Sequence, residues 1–112
     1  MELKDRVAGA FWQRTLKTSI QCSGVGLHGG EHVQMTLHPA EADTGIVFRR
    51  SDVRDTFNEI LARFDYVADT RMCTTLRNAE GVSVMTVEHL MASLSGCGID
   101  NLIVETAGPE IP

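Results

Sequence analysis

The residues His32-Val33-Gln34-Met35-Thr36-Leu37-His38 alternate without a break, placing Val33, Met35 and Leu37 on one side and polar groups on the other. Successive side chains of an extended chain point to opposite faces, so the pattern demands a strand with one buried and one polar face. Such a strand needs hydrogen-bonded neighbours and an apolar layer beneath it. Before it, Thr15, Thr18, Ile20 and Cys22 mark an extended segment over Gln13 to Ser23, and Gly24, Gly26, Gly29 and Gly30 predict a tight bend. After Pro39, Ala42-Asp43-Thr44-Gly45 reads as a turn and Ile46-Val47-Phe48-Arg49 as a returning strand, which together predict a hairpin with the alternating strand.

Phe57 to Phe64 admits two readings: a short helix with Phe57, Ile60, Leu61 and Phe64 on one face, or an irregular excursion whose end pairs as a strand. Met72 to Leu76 and Val82 to Met85 flank Asn78-Ala79-Glu80-Gly81 and predict a second hairpin. It leads into one principal helix, with Thr86 as expected N-cap, Glu88 in the first turn where a carboxylate suits the dipole, and an end near Gly96 and Gly98. Asn101 to Glu105 reads as a closing strand broken by Gly108-Pro109, and Met1 to Trp12 as a variable leader of little function. The expected fold is α+β, a two-layer sandwich of a mixed or antiparallel sheet with hairpins packed against that helix.

A chain of 112 residues, 43% hydrophobic and 22% charged, is sized and composed for one globular domain. Its net charge of -5 disfavours nucleic acid as a partner, because holding a phosphate backbone takes a basic face. Arg49, Arg50 and Arg54 form a local basic patch, read first as a solvated strand end. Cys22, Cys73 and Cys97 are odd in number and lack C-x-x-C spacing, which suits a reducing compartment. No run reaches the length of a membrane span and the first residues lack a signal-like apolar stretch, so a cytoplasmic location is expected.

On a helix, Val87, Leu90, Met91, Leu94 and Cys97 gather into one apolar stripe, while His89 points nearly the opposite way beside Ala92 and Gly96. Glu88 lies about a quarter-turn from His89. Imidazole as metal ligand and carboxylate as base for water is the functional reading of that pair. Adjacent Glu-His pairs also arise by chance, and on these residues alone an exposed helix start with a favourable dipole interaction outweighs it. His32 and His38 fall on the polar strand face, where solvent exposure is the simpler account. His28 sits among glycines that permit close approach to another group. Catalytic zinc takes three protein ligands, and the chain offers one credible candidate.

Gln13 to Lys17, Gly24-Val25-Gly26-Leu27-His28, Thr44 to Arg50, Asp69 to Thr74, Thr86 to Leu94, Gly96 to Leu102 and Pro109 to Pro112 together resemble the first domain of the UDP-3-O-acyl-N-acetylglucosamine deacetylases of lipid A synthesis. The order and spacing of these blocks carry the resemblance, which covers about Gln13 to Pro112. It implies a cytoplasmic Gram-negative enzyme that uses Zn2+ and water to remove acetate from its UDP-sugar substrate, at a site between two similar α/β domains. His89 then matches the zinc ligand of the first domain and Glu88 the general base. His28 and, in the Asp69 to Thr74 block, Cys73 become candidates for contact with substrate. No residue matches the ligands, catalytic histidine and lysines of the family's carboxy-terminal domain. The chain also stops where the family enters a second helix of its first domain. It is therefore expected to be a truncated first domain, inactive alone. The rival readings are a non-catalytic interaction or remnant domain of the same fold, and a nucleotide-sugar module whose arginine patch holds phosphates.

Overall fold

The computed structural model describes residues 3–8, 11–26, 29–63, 66–69 and 74–112. The chain order is β1 (Leu3–Ala8), β2 (Phe11–Leu16), β3 (Ile20–Val25), β4 (His32–Pro39), β5 (Ile46–Arg50), β6 (Glu59–Leu61), β7 (Val67–Asp69), β8 (Thr75–Arg77), β9 (Ser83–Met85), α1 (Glu88–Gly96) and β10 (Leu102–Thr106). The fold is α+β, with a mixed five-stranded sheet in the order β3-β4-β10-β5-β6, a three-stranded antiparallel sheet β7-β8-β9, and the pair β1-β2.

β4 has the face its alternation requires: Val33, Met35 and Leu37 are buried, while His32 and Gln34 are exposed. Its neighbours differ from the expected hairpin. β4 pairs antiparallel with β3 and with β10, and β5 lies on the far side of β10, parallel to it. β10 is inserted between β4 and β5: Leu102, Val104 and Thr106 are buried on one face, and Ile103 and Glu105 are half-buried on the other, so neither face of this strand is open. Parallel pairing of β5 with β10 needs a long crossover, and the chain between them supplies it with the three-stranded sheet and α1.

Other elements add detail to the sequence reading. The extended segment from Gln13 to Ser23 is two strands, β2 and β3, separated by a bend at Lys17-Thr18. Residues 3–8 of the expected leader form β1, in register with β2 from Leu3↔Leu16 to Ala8↔Phe11. Of the two readings of Phe57 to Phe64, the structure shows the strand: β6 pairs with β5 from Val47↔Leu61 to Arg49↔Glu59. The β8-β9 hairpin forms as expected, with Gly81 at φ +84° in its turn.

One core joins the layers: Leu37, Phe48, Ile60 and Val104 of the large sheet, Leu76 and Val84 of the small one, and Val87 and Leu94 beside and on α1 belong to a single buried cluster. Cys97, expected on the helix stripe, is exposed. α1 ends there in a Schellman arrangement, with the Ile99 amide on the Leu94 carbonyl at 3.0 Å, the Gly98 amide on the Ser95 carbonyl at 3.1 Å, and Gly98 at φ +71°. This close turns the chain into β10 and sets Cys97 outside.

Candidate active site

The β8-β9 hairpin brings the chain to Thr86, which takes φ +62°. A β-branched residue is seldom found in that left-handed region, since its Cβ crowds the backbone. The conformation is held by neighbours: the Thr86 amide donates to the Thr74 carbonyl at 3.0 Å, and the Thr86 hydroxyl donates to Glu110 Oε2 at 2.9 Å. Thr86 is therefore not the helix N-cap. That position falls to Val87, which makes no side-chain capping bond and is 1% exposed. The sharp turn sends Val87 into the core and brings Glu88 and His89 out of it.

Glu88 is half-buried, and its Oε2 accepts a hydrogen bond from the Thr74 amide at 3.1 Å. His89 is exposed, as are Ala92 and Gly96 on the same side of α1. A fixed carboxylate thus stands next to an accessible imidazole, with only small residues along the helix to obstruct approach. Among the described residues no three His, Cys, Asp or Glu side chains gather where one metal ion could touch them all. Zinc normally takes three protein ligands, a number that no group among the described residues supplies. His28 and Cys73 lie outside the described residues.

Glu110 is a polar residue that no local pattern singles out. It is 4% exposed, and besides the Thr86 hydroxyl it accepts the Gly29 amide on Oε1 at 2.7 Å. The tail carrying it is fixed by backbone bonds on either side, from the Met85 amide to the Pro109 carbonyl at 2.7 Å and from the Ile111 amide to the Met85 carbonyl at 3.0 Å. A cleft of about 270 Å³ opens beside it, lined in part by Glu31, His32, Val33 and Met85. The available signal was an acidic residue between two prolines in an otherwise apolar tail, Pro109-Glu110-Ile111-Pro112.

The arginine patch is largely neutralised. Arg49 binds Glu59 through Nε and Nη2 at 3.0 and 2.9 Å. Arg50 grips Asp52 in a fork at 2.9 and 2.7 Å and donates to the Ser83 carbonyl at 2.8 Å. The hydrogen bond from the Arg50 guanidinium, aided by its charge, holds the Asp52 carboxyl below its ordinary range. Arg54 remains exposed. This pairing removes the main support for a phosphate-holding module. Of the other histidines, His32 is exposed, whereas half-buried His38 bonds Ser19 Oγ at 3.0 Å and Glu105 Oε1 at 3.1 Å. No helix among the described residues is long and apolar enough to cross a membrane.

Blocks far apart in sequence meet at a second point as well. Gln13 accepts the Asp43 amide and an Asn101 side-chain N–H on the same oxygen, and Asn101 Oδ1 accepts the Gly45 amide. A profile of the UDP-3-O-acyl N-acetylglycosamine deacetylase family matches residues 13–112. The chain is 55% identical over 100 residues to the UDP-3-O-acyl-N-acetylglucosamine deacetylase of Pseudoalteromonas atlantica, a match covering 89% of this chain and 33% of that protein. Proteins of the same name from Idiomarina loihiensis and Colwellia psychrerythraea are likewise 55% identical over 100 residues, with 89% of this chain and 32% of each relative covered. The chain thus spans about a third of the length of these curated relatives. With the profile matched from within β2 to the last residue, the chain belongs to the UDP-3-O-acyl N-acetylglycosamine deacetylase family.

Proposed function

We propose that this chain supplies one side of the active site of a zinc-dependent deacetylase, which hydrolyses the N-acetyl group of UDP-3-O-acyl-N-acetylglucosamine during lipid A synthesis in the cytoplasm. The observation that carries the proposal is the juxtaposition, on the first turn of α1, of the accessible His89 imidazole and the Glu88 carboxylate tied to the Thr74 amide at 3.1 Å. Family membership and the names of the relatives support the choice of reaction and substrate.

Amide hydrolysis needs a water proton removed as the oxygen attacks the carbonyl and a proton delivered to the departing nitrogen. Glu88 serves as the base: with Oε2 tethered, Oε1 takes the proton and returns it to the amine. His89 is one of the metal's donors, and the others come from a second domain within the remaining length of the relatives. Zinc, when bound, supplies Lewis-acid polarisation of the carbonyl and acidifies water. With one donor of its own, the isolated chain is expected to be inactive.

The test joins this chain to a matching second domain and measures zinc content beside turnover. His89→Ala should lower both together. Glu88→Gln should keep zinc and substrate affinity while reducing kcat by roughly 100-fold or more, the scale for losing a general base. Full turnover in Glu88→Gln would remove the base assignment. Full zinc content in His89→Ala would remove the ligand assignment. Zinc-dependent turnover by the unjoined chain would place the site wholly within these residues.

A further inference from the structure

The Glu110 carboxylate is buried, and it joins the approach to α1, which carries the proposed chemistry, to the glycine turn. Through Oε2 it holds the Thr86 hydroxyl, two residues before Glu88, and through Oε1 it holds the Gly29 amide of the turn between β3 and β4. Gly26 closes against the same group: a Cβ there would stand 2.4 Å from Oε1. The bonds between Met85 and the tail fix the height of the carboxylate relative to the start of α1.

Burying a carboxylate is costly, and an apolar side chain of similar size would pack the tail without that cost. A carboxylate takes the amide of one segment on one oxygen and the hydroxyl of another on the second, a link no apolar side chain could make. The second bond falls on a residue whose φ of +62° is unfavourable for threonine. Strain of that kind persists where surrounding contacts over-determine it. The direction in which Glu88 and His89 leave the backbone follows from that turn.

We propose that Glu110 is a positioning residue: by holding Thr86 and the glycine turn it fixes the aim of the Glu88-His89 pair. The inference rests on the reading of α1 as the catalytic element. It requires that loss of Glu110 or of the Thr86 hydroxyl act on the chemical step, leaving substrate binding and metal content in place.

The test uses the enzyme with both domains, the acylated UDP-sugar as substrate, and Thr86→Val, Glu110→Ala, Glu110→Gln and the Thr86→Val/Glu110→Ala double variant. Thr86→Val keeps the β-branched shape without the hydroxyl and should lower kcat by about 10-fold with KM within about 2-fold, the pattern of lost alignment. Glu110→Ala should cost kcat about 30-fold or more, and the double variant should be no worse, since both remove one link. Glu110→Gln should recover to within about 3-fold of the parent, because its oxygen can accept the Gly29 amide while its N–H donates to a rotated Thr86 hydroxyl. Amide exchange at residues 88–90 should be faster in Thr86→Val and near normal in Glu110→Gln.

Should Glu110→Ala fail to fold, Thr86→Val and Glu110→Gln still decide. A folded Thr86→Val with the parent's kcat and exchange rates overturns the proposal, as does a double variant whose losses multiply. Glu88→Gln, run in parallel, separates the two levels. If it is inactive while Thr86→Val is fully active, only the positioning role fails. If Glu88→Gln is fully active, the catalytic reading fails, and amide exchange alone then reports whether Glu110 sets the first turn of α1.

Discussion

Gly26 is required by contact rather than by backbone angle. A Cβ there would lie 2.4 Å from Glu110 Oε1 and 2.9 Å from its Cδ, and the carboxylate cannot swing aside without releasing the Gly29 amide and the Thr86 hydroxyl. Gly26→Ala is therefore expected to destabilise by about 1–3 kcal/mol, the range for overfilling a packed site. Gly96→Ala is the control: nothing lies within 4 Å of its Cβ position, and alanine is the better helix former. Urea denaturation should separate the two; equal midpoints would mean that the carboxylate is not held in place. The sequence marked Gly24 to Gly30 for backbone freedom, and that account suits Gly30, at φ +68°. For Gly26 the cause lies 84 positions away, in a carboxylate that no local pattern announces. Thr86 misleads in the same way: a threonine before an acidic first turn reads as a cap, but its hydroxyl serves Glu110.

Among the elements, the β8-β9 hairpin depends on Asn78, which is buried and bonded on every side. Its Oδ1 accepts the amides of Glu80 and Val82, each at 3.0 Å, and its Nδ2 donates to the carbonyls of Phe57 and Glu59 at 2.9 and 3.1 Å. One side chain thus shapes the turn and ties it to the approach to β6. Asn78→Ala is expected to cost about 2–4 kcal/mol, because both halves of the amide leave partners unsatisfied. Asn78→Asp should recover little, since it keeps the acceptor and turns a second oxygen on two carbonyls. Thermal midpoints of the two variants check this; a midpoint for Asn78→Asp near the parent's would show that the turn alone matters. The elements legible in the sequence were those with local causes: the alternation of β4, the turn at Asn78 to Gly81, and the glycine close of α1. Pairing was less legible. β4 and β5 are neighbours in sequence but not in the sheet, because β10, from the far end of the chain, takes the place between them. The Glu88-His89 pair was legible as a juxtaposition on one turn, whereas the tether from Thr74 to Glu88 depends on a strand pairing that brings residue 74 beside the helix.

For the whole molecule, the apolar surface is unevenly distributed. The core draws on both larger sheets and α1, yet Trp12 on β2, Val25 on β3 and Phe57 before β6 are 72%, 59% and 58% exposed. β3 and β6 are also the edges of the five-stranded sheet, where, among the described residues, backbone donors and acceptors lack a strand partner on one side. Large apolar side chains combined with open edges favour association. The chain spans about a third of its curated relatives, and a second domain folded against it would cover some of this surface. The polypeptide by itself is therefore expected to form oligomers that grow with concentration, or to bind a hydrophobic dye as a loosely packed monomer. The joined form should do neither. Sedimentation velocity over a range of concentrations, with dye fluorescence on the same samples, distinguishes these outcomes. A sharply melting monomer that ignores the dye would mean that the exposed residues are ordinary surface. Trp12→Lys assigns the cause if association occurs: less association with an unchanged melting midpoint places the contact on β2, and no change points to the open strand edges.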